Sequence, residues 1–161
     1  MNFLKINKMK KVLIALDYGL SAKKIAEKGF ELAQNMNAKV TLLHVVAVES
    51  YYNTLDAAPF IGFYGYDFFN LVNGESLVDA SLHFLKTIKE HLKDTDIEIQ
   101  AVQGDFATVI LETITKQHFD IVVVGSHSHN WLEKAVMGSV TESVLAKTKI
   151  PMFIIPVKEH Q

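Results

Sequence analysis

Asp120-Ile121-Val122-Val123-Val124-Gly125 opens the stretch that decides the fold. It continues through a loop to Gly138-Ser139-Val140-Thr141-Glu142-Ser143-Val144-Leu145-Ala146-Lys147 and closes on Ile150-Pro151-Met152-Phe153-Ile154-Ile155-Pro156. Consecutive branched residues ending in glycine predict a strand buried on both faces, as in a parallel sheet, because a strand with one wet face would alternate. The stretch therefore reads as strand, loop, helix, strand. Gly138-Ser139 falls where the helix begins, and the loop between Val124 and Ser139 carries the chemistry.

Working outward, Lys11-Val12-Leu13-Ile14-Ala15-Leu16-Asp17 is a second continuous apolar run, stopped by Asp17. Ser21 is placed to cap the helix that follows, whose apolar face is Ala22, Ile25, Ala26, Gly29, Phe30, Ala33 and Met36. The next strand, Val40 to Val46, completes a crossover unit, and such units give neighbouring parallel strands. His44 inside that run reads as a hydrogen-bonded core histidine. Glu75 to Lys93 has helical period with a stripe of Leu77, Val78, Leu82, Leu85, Ile88 and Leu92, leaving His83 and His91 facing solvent or the rim. Ile97 to Val102 alternates as an edge strand does. Gly104-Asp105 then turns the chain into a helix over about 107–117, with Val109, Ile110 and Ile114 inward. Strands alternating with helices predict a doubly wound α/β sheet, one domain over residues 1–161, with helices on both faces.

A Gly-Ser pair at a helix start admits two readings. Ser139 or Thr141 caps the helix, or the unpartnered first-turn N–H groups and the helix dipole receive an anion, with glycine allowing close approach. Gly125, position 128 and then Gly138-Ser139 after nine intervening residues resemble the GxxG(x9)GS or GxxG(x9)GT phosphate loop of the ATP-binding universal stress proteins, with Ser128 in place of the second glycine. Asp17, Leu43-His44-Val45, Gly104-Asp105 and the final Ile150–Pro156 run match the same family in order and spacing.

The resemblance implies a five-stranded parallel sheet of order 3-2-1-4-5, the adenine nucleotide alpha hydrolase-like fold. Ligands of such sheets bind where the winding reverses, beyond the carboxyl ends of the strands. It implies ATP, ADP or AMP as ligand, adenosine near Asp17 and Val45, and phosphates on Gly125, Ser126, His127, Ser128, Gly138, Ser139, Val140 and Thr141. Mg²⁺ or Mn²⁺ would ride on the phosphates. It also implies a cytoplasmic, stress-response homodimer joined through the last strand, Ile150 to Val157. If position 128 needs positive φ, a serine there costs about 1–2 kcal/mol. If φ is negative, Ser128 adds a hydroxyl at no cost.

Composition narrows the chemistry. The 161 residues suffice for a core without staples. A net charge of −2 carries no nucleic-acid footprint, and there is no cysteine for disulfides or thiol chemistry. All 16 basic residues are lysine, so no guanidinium clamp or arginine finger is available and phosphate must be held by backbone N–H, hydroxyl, lysine or metal. Neither a secretory leader nor a membrane-length apolar run is read, which makes the expectation a soluble protein. His127-Ser128-His129 lacks a third ligand for a zinc site, so no metal site is assigned. The only carboxylate in the loop, Glu133, reads as solvent-facing, and no general base accompanies the loop, so any ATP hydrolysis is slow.

Two segments stand apart. Residues 1–9 read as an N-terminal extension. Residues 49–74 form a variable insertion with Tyr51, Tyr52, Phe60, Phe63, Tyr64, Tyr66, Phe68 and Phe69. So aromatic a connection predicts packing, either on its own domain, as a lid, or against a protein partner. A second function therefore stands beside nucleotide binding: a dimeric partner-binding stress protein that uses the insertion and takes no nucleotide.

Overall fold

The computed structural model describes residues 10–19, 21–46, 76–126 and 138–157. The predicted extension 1–9 and insertion 49–74 lie outside the described residues. In chain order the elements are β1 (Lys11–Leu16), α1 (Ala22–Asn35), β2 (Lys39–Val46), α2 (Leu77–Leu92), β3 (Glu98–Gln103), α3 (Phe106–Lys116), β4 (Ile121–Gly125), α4 (Ser139–Lys147) and β5 (Met152–Ile155). The five strands form one sheet of order β3-β2-β1-β4-β5, every pair parallel. This is the expected doubly wound architecture, reversing between β1 and β4.

Alternate residues of the central strands feed two cores. Val12, Ile14 and Leu16 of β1, Val40 and Leu42 of β2, and Ile121 and Val123 of β4 pack under α1 and α2. Leu13, Leu43, Val45, Val122 and Val124 pack on the opposite face, with Val109, Ile110 and Ile114 of α3 and Val144 of α4. Both faces of β1 and β4 are therefore apolar, which is why their sequences run without alternation. Among the described residues no helix is long and apolar enough to cross a membrane.

Helix α1 buries Ala22, Ile25, Ala26, Gly29 and Ala33, as its period predicts. Its close seating depends on Gly29, where an added Cβ would lie 2.8 Å from Ile14 Cδ1 and 3.2 Å from Val123 Cγ1. The α2 stripe is turned relative to expectation. The buried residues are Ala80, Ser81, Phe84, Leu85 and Ile88, whereas Leu77, Val78 and Leu82 are half-buried. Leu85 and Ile88 of the expected stripe are buried, but Ser81 and Phe84 also turn inward, where Ser81 bonds Tyr18 and Phe84 packs on Tyr18 and His44. Ser76 caps α2, its Oγ accepting from Asp79 N at 3.2 Å.

Strand β3 is an edge, as its alternation predicts, with Val102 37% exposed. Gln100 is tied down all the same: its amide and that of Gln117 exchange two hydrogen bonds, 2.9 and 2.8 Å. Asp105 caps α3 by accepting from Thr108 N at 2.9 Å, and Phe106 occupies the first helical position. At the amino end of the sheet Lys11 N donates to Asp120 Oδ2 at 2.9 Å and Lys11 Nζ to the Gln117 carbonyl at 2.7 Å, locking β1 to the entry of β4.

Gly29→Ala weighs two opposed effects. Helix propensity gains up to about 1 kcal/mol, while overpacking costs about 1–3 kcal/mol. Because Ile14 and Val123 are fully buried, overpacking is expected to win, and urea denaturation should show net destabilisation.

Candidate functional site

The carboxyl ends of β1 and β4 meet α1 and α4 at the point of reversed winding. The β1–β4 ladder runs from Val12↔Ile121 to Ile14↔Val123, so Leu16 and Gly125 lie past its last register pair. On the other side β1 ends opposite His44 (Leu16↔His44), and β2 continues through Val45 and Val46. The result is a step in the sheet edge flanked by Asp17, Val45 and Gly125.

Asp17 is exposed at this step. Its Oδ1 accepts from Gly19 N at 3.0 Å, closing a turn that leads into α1. Ser21 sits at the N-cap position of α1 but makes no side-chain capping bond, and its buried Oγ has no partner. The expected cap is thus absent: Ser21 has helical φ of −86° and ψ of −6°, which aims the hydroxyl away from the first-turn N–H groups. Val45 is 4% exposed with its side chain in the α3/α4 core, leaving only its backbone for a ligand.

Gly125 is closely packed. A Cβ there would lie 2.5 Å from Ile25 Cδ1 and 3.4 Å from Val157 Cγ2. Ser126 N donates to the Ile155 carbonyl at 2.9 Å, and Ser126 Oγ accepts from Val157 N at 3.1 Å, so Ser126 pins the chain that follows β5. His127 and Ser128 lie outside the described residues, as do His129 and Glu133.

Helix α4 begins where the Gly-Ser pair predicts. Gly138 is the N-cap, with φ −60° and ψ 149° and no side-chain cap. The first intrahelical bond runs from Glu142 N to the Gly138 carbonyl at 2.9 Å. The N–H groups of Ser139, Val140 and Thr141 precede it and are helix-terminal donors. Ser139 is exposed, Val140 half-buried and Thr141 buried. The Thr141 hydroxyl donates to the Gly125 carbonyl at 3.0 Å, a strut that holds the helix start against the end of β4. Of the two readings of this pair, side-chain capping by Ser139 or Thr141 is not what the structure shows.

Beneath the step lies a polar cluster that sequence reasoning found only in part. His44, 4% exposed, directs Nδ1 at the Leu16 carbonyl, 2.8 Å away. A carbonyl only accepts, so Nδ1 carries the proton and Nε2 is an unprotonated acceptor, with no partner. Burial pushes the imidazole pKa below its ordinary value; the Leu16 hydrogen bond and the Asp17 charge partly oppose this. The Tyr18 ring packs at 4.2 Å edge-on to His44, and Phe84 at 5.8 Å. Ser81 Oγ donates to the Leu77 carbonyl at 2.8 Å, so the Tyr18 hydroxyl donates to Ser81 Oγ, also 2.8 Å. The signal for this cluster was the tyrosine directly after Asp17, which has no place in a purely aliphatic strand end.

A cavity of about 430 Å³ opens at the other end of the sheet, among Ile114, His118, Phe119, Lys147 and Ile150. Helices α3 and α4 end there with their carbonyl termini, which disfavour anions. The step at the carboxyl ends is the better candidate.

A doubly wound, five-stranded parallel α/β sheet with an uncapped helix start at its switch point defines a fold class. Within it, this chain belongs to the Universal stress protein family, whose profile matches residues 8–156. It is 26% identical over 157 residues to universal stress protein MJ0531 of Methanocaldococcus jannaschii, covering 95% of this chain and 86% of that one. Similar folds include a universal stress protein solved in complex with cAMP (TM-score 0.60, 18% identity, covering 92% and 97% of the two chains). The universal stress protein of Archaeoglobus fulgidus in complex with dAMP is another (TM-score 0.55, 14% identity, covering 90% and 96%).

Two substitutions separate packing from ligand contact. Gly125→Ala forces Ile25 to move and should cost about 1–3 kcal/mol in chemical denaturation with no ligand added. Thr141→Val leaves the Gly125 carbonyl without its donor and should cost about 1–3 kcal/mol; Thr141→Ser should recover most of it.

Proposed function

We propose that this protein binds an adenine nucleotide, ATP or its di- or monophosphate, at the step between β1 and β4, as a stress-response regulator with little turnover. The observation that carries the reading is the start of α4. Its Ser139, Val140 and Thr141 N–H groups are held beside the end of β4 by the Thr141–Gly125 bond. An array of backbone donors at a positive helix terminus suits phosphate and needs none of the arginine this chain lacks. Asp17 and the Val45 backbone flank the same step and suit adenosine. Gly125, Ser126, His127, Ser128 and Gly138 complete the ligand-binding segment in this reading. A divalent ion, Mg²⁺ or Mn²⁺, would be carried by the phosphates. The neighbours solved with cAMP and dAMP support an adenine ligand class.

A second reading, a partner-binding protein without nucleotide, draws on a specific observation. Gly125, Ser126 and Thr141 each have a structural task that explains their presence without any phosphate. In that case the 49–74 insertion is the working surface.

The deciding experiment is to denature freshly purified protein and identify released nucleotide by chromatography and mass, with Gly138→Asp as the control. Aspartate is a good N-cap, so its carboxylate takes the first-turn N–H groups and repels phosphate while leaving the helix stable. Nucleotide at about one per chain in the wild type, absent from the variant, supports the first reading. Protein that is empty and gives no heat with magnesium and ATP supports the second.

The proposal extends to a homodimer through the Ile150–Val157 strand. β5 lies at the sheet edge with Phe153 42% exposed, and an uncovered apolar edge is an aggregation hazard. Sedimentation at micromolar concentration is expected to show a dimer, and Phe153→Lys to shift it toward monomer; a wild-type monomer would refute it.

A further inference from the structure

We propose that His44 is a proton-operated latch on the Asp17–Gly19 turn: neutral, it fastens the turn through the Leu16 carbonyl and the Tyr18 ring, and protonated, it lets go. The Leu16 carbonyl, which immediately precedes the turn, is held by His44 Nδ1–H at 2.8 Å. Tyr18, its second residue, lies against the imidazole at 4.2 Å and against Phe84 at 4.9 Å, and hydrogen-bonds Ser81 on α2 at 2.8 Å. Gly19 N returns to Asp17 Oδ1 at 3.0 Å. One ring thus joins the end of β1, the turn and α2.

The weak point is Nε2. In the neutral ring it is an unpaired acceptor, a modest penalty. Protonation makes it a charged donor at a buried position with no acceptor among the described residues, which is far more costly. The neighbouring elements do not relieve it. The buried face of α2 brings Ala80, Ser81 and Phe84, with Asp79, His83 and Lys86 exposed on the helix. β3 places Ala101 in register with His44. On α1, Lys23, Lys24, Glu27 and Lys28 are exposed. Among the described residues, the Leu16 carbonyl and, through space, Asp17 favour the charge, but less than burial opposes it, and the Asp17 carboxylate is engaged with Gly19 N. A charged imidazole therefore gains by moving outward toward solvent or Asp17, which removes the Leu16 bond and the Tyr18 contact together.

The direction of linkage follows. The folded-state pKa lies below the unfolded value of about 6.5, so the unfolded chain takes the proton first. The His44 contribution to stability is intact above about pH 6.5 and declines as pH falls toward the folded pKa. Any effect of the latch on ligand affinity rests on the nucleotide reading above, because Asp17 belongs to that proposed site.

The test is an NMR titration of the full chain from pH 8 to pH 5, following the rings of all seven histidines together with the Gly19 amide, the Tyr18 ring and Ser81. His44→Asn assigns the resonance and removes the titration, since an asparagine amide can reach the Leu16 carbonyl where Nδ1 does. His44 is expected to titrate below the ordinary imidazole value of about 6.5, with the Gly19 and Tyr18 signals shifting at the His44 midpoint in wild type and staying fixed in His44→Asn. Titration of His44 at or above about 6.5, or its protonation with Gly19 and Tyr18 unmoved, would overturn the latch. Should His44→Asn fail to fold, Tyr18→Phe keeps the ring and cuts the bond to Ser81. Gly19 should then still follow His44 while Ser81 no longer does, and a Ser81 signal that still follows overturns the relay. Magnesium ATP calorimetry at pH 7.5 and 5.5 supplies the separate arm. Affinity should fall about threefold or more further in wild type than in His44→Asn. Absence of ATP binding at either pH refutes the nucleotide reading, while the NMR signals still decide the latch.

Discussion

The structure depends on how closely α1 lies on the β1–β4 pair. At Gly29 the helix approaches Ile14 and Val123 too tightly for a side chain, and at Gly125 the end of β4 does the same to Ile25. These contacts fix the helix across the line where the winding reverses. A helix farther out would leave Ile25 without its floor and open the α1/α2 core. The step between Asp17 and Gly125 is therefore a by-product of dense packing before it is a ligand site.

This bears on how a family signature should be understood. Gly125 falls in the stretch that resembles a phosphate loop, yet an added Cβ there would displace Ile25 Cδ1, 2.5 Å away, so packing alone favours glycine. Thr141 and Ser126 likewise bond the strand end and the β5 tail. Under the proposed function, what is left for an anion is backbone: the start of α4, capped by a glycine with no side chain to compete. Backbone donors do not titrate and are indifferent to side-chain drift. Such a site can tolerate an altered residue elsewhere in the loop better than one built on charged side chains.

The parallel sheet was legible because β1, β2 and β4 are largely apolar on consecutive residues, as a sheet covered on both faces permits, while the order of its strands came from the family resemblance. The start of α4 was legible from Gly138-Ser139, and the edge position of β3 from alternation. Two features were hidden for the same reason. The buried face of α2 was assigned to its leucines, but Ser81 and Phe84 pack inward because Tyr18 and His44, distant in sequence, offer them a polar and aromatic surface. Ser21 was assigned a capping bond from residue type alone, whereas its backbone conformation aims the hydroxyl elsewhere. Local pattern identifies an element; which of its faces is inward depends on partners brought from far along the chain.

The bonds from Ser126 to Ile155 and Val157 tie the end of β4 to the segment that leaves β5. Residues 155–157 thus work as a tether on Ser126. A force applied to the segment after β5 would reach the carboxyl end of β4, so a change some thirty residues away in sequence is mechanically adjacent to the candidate site.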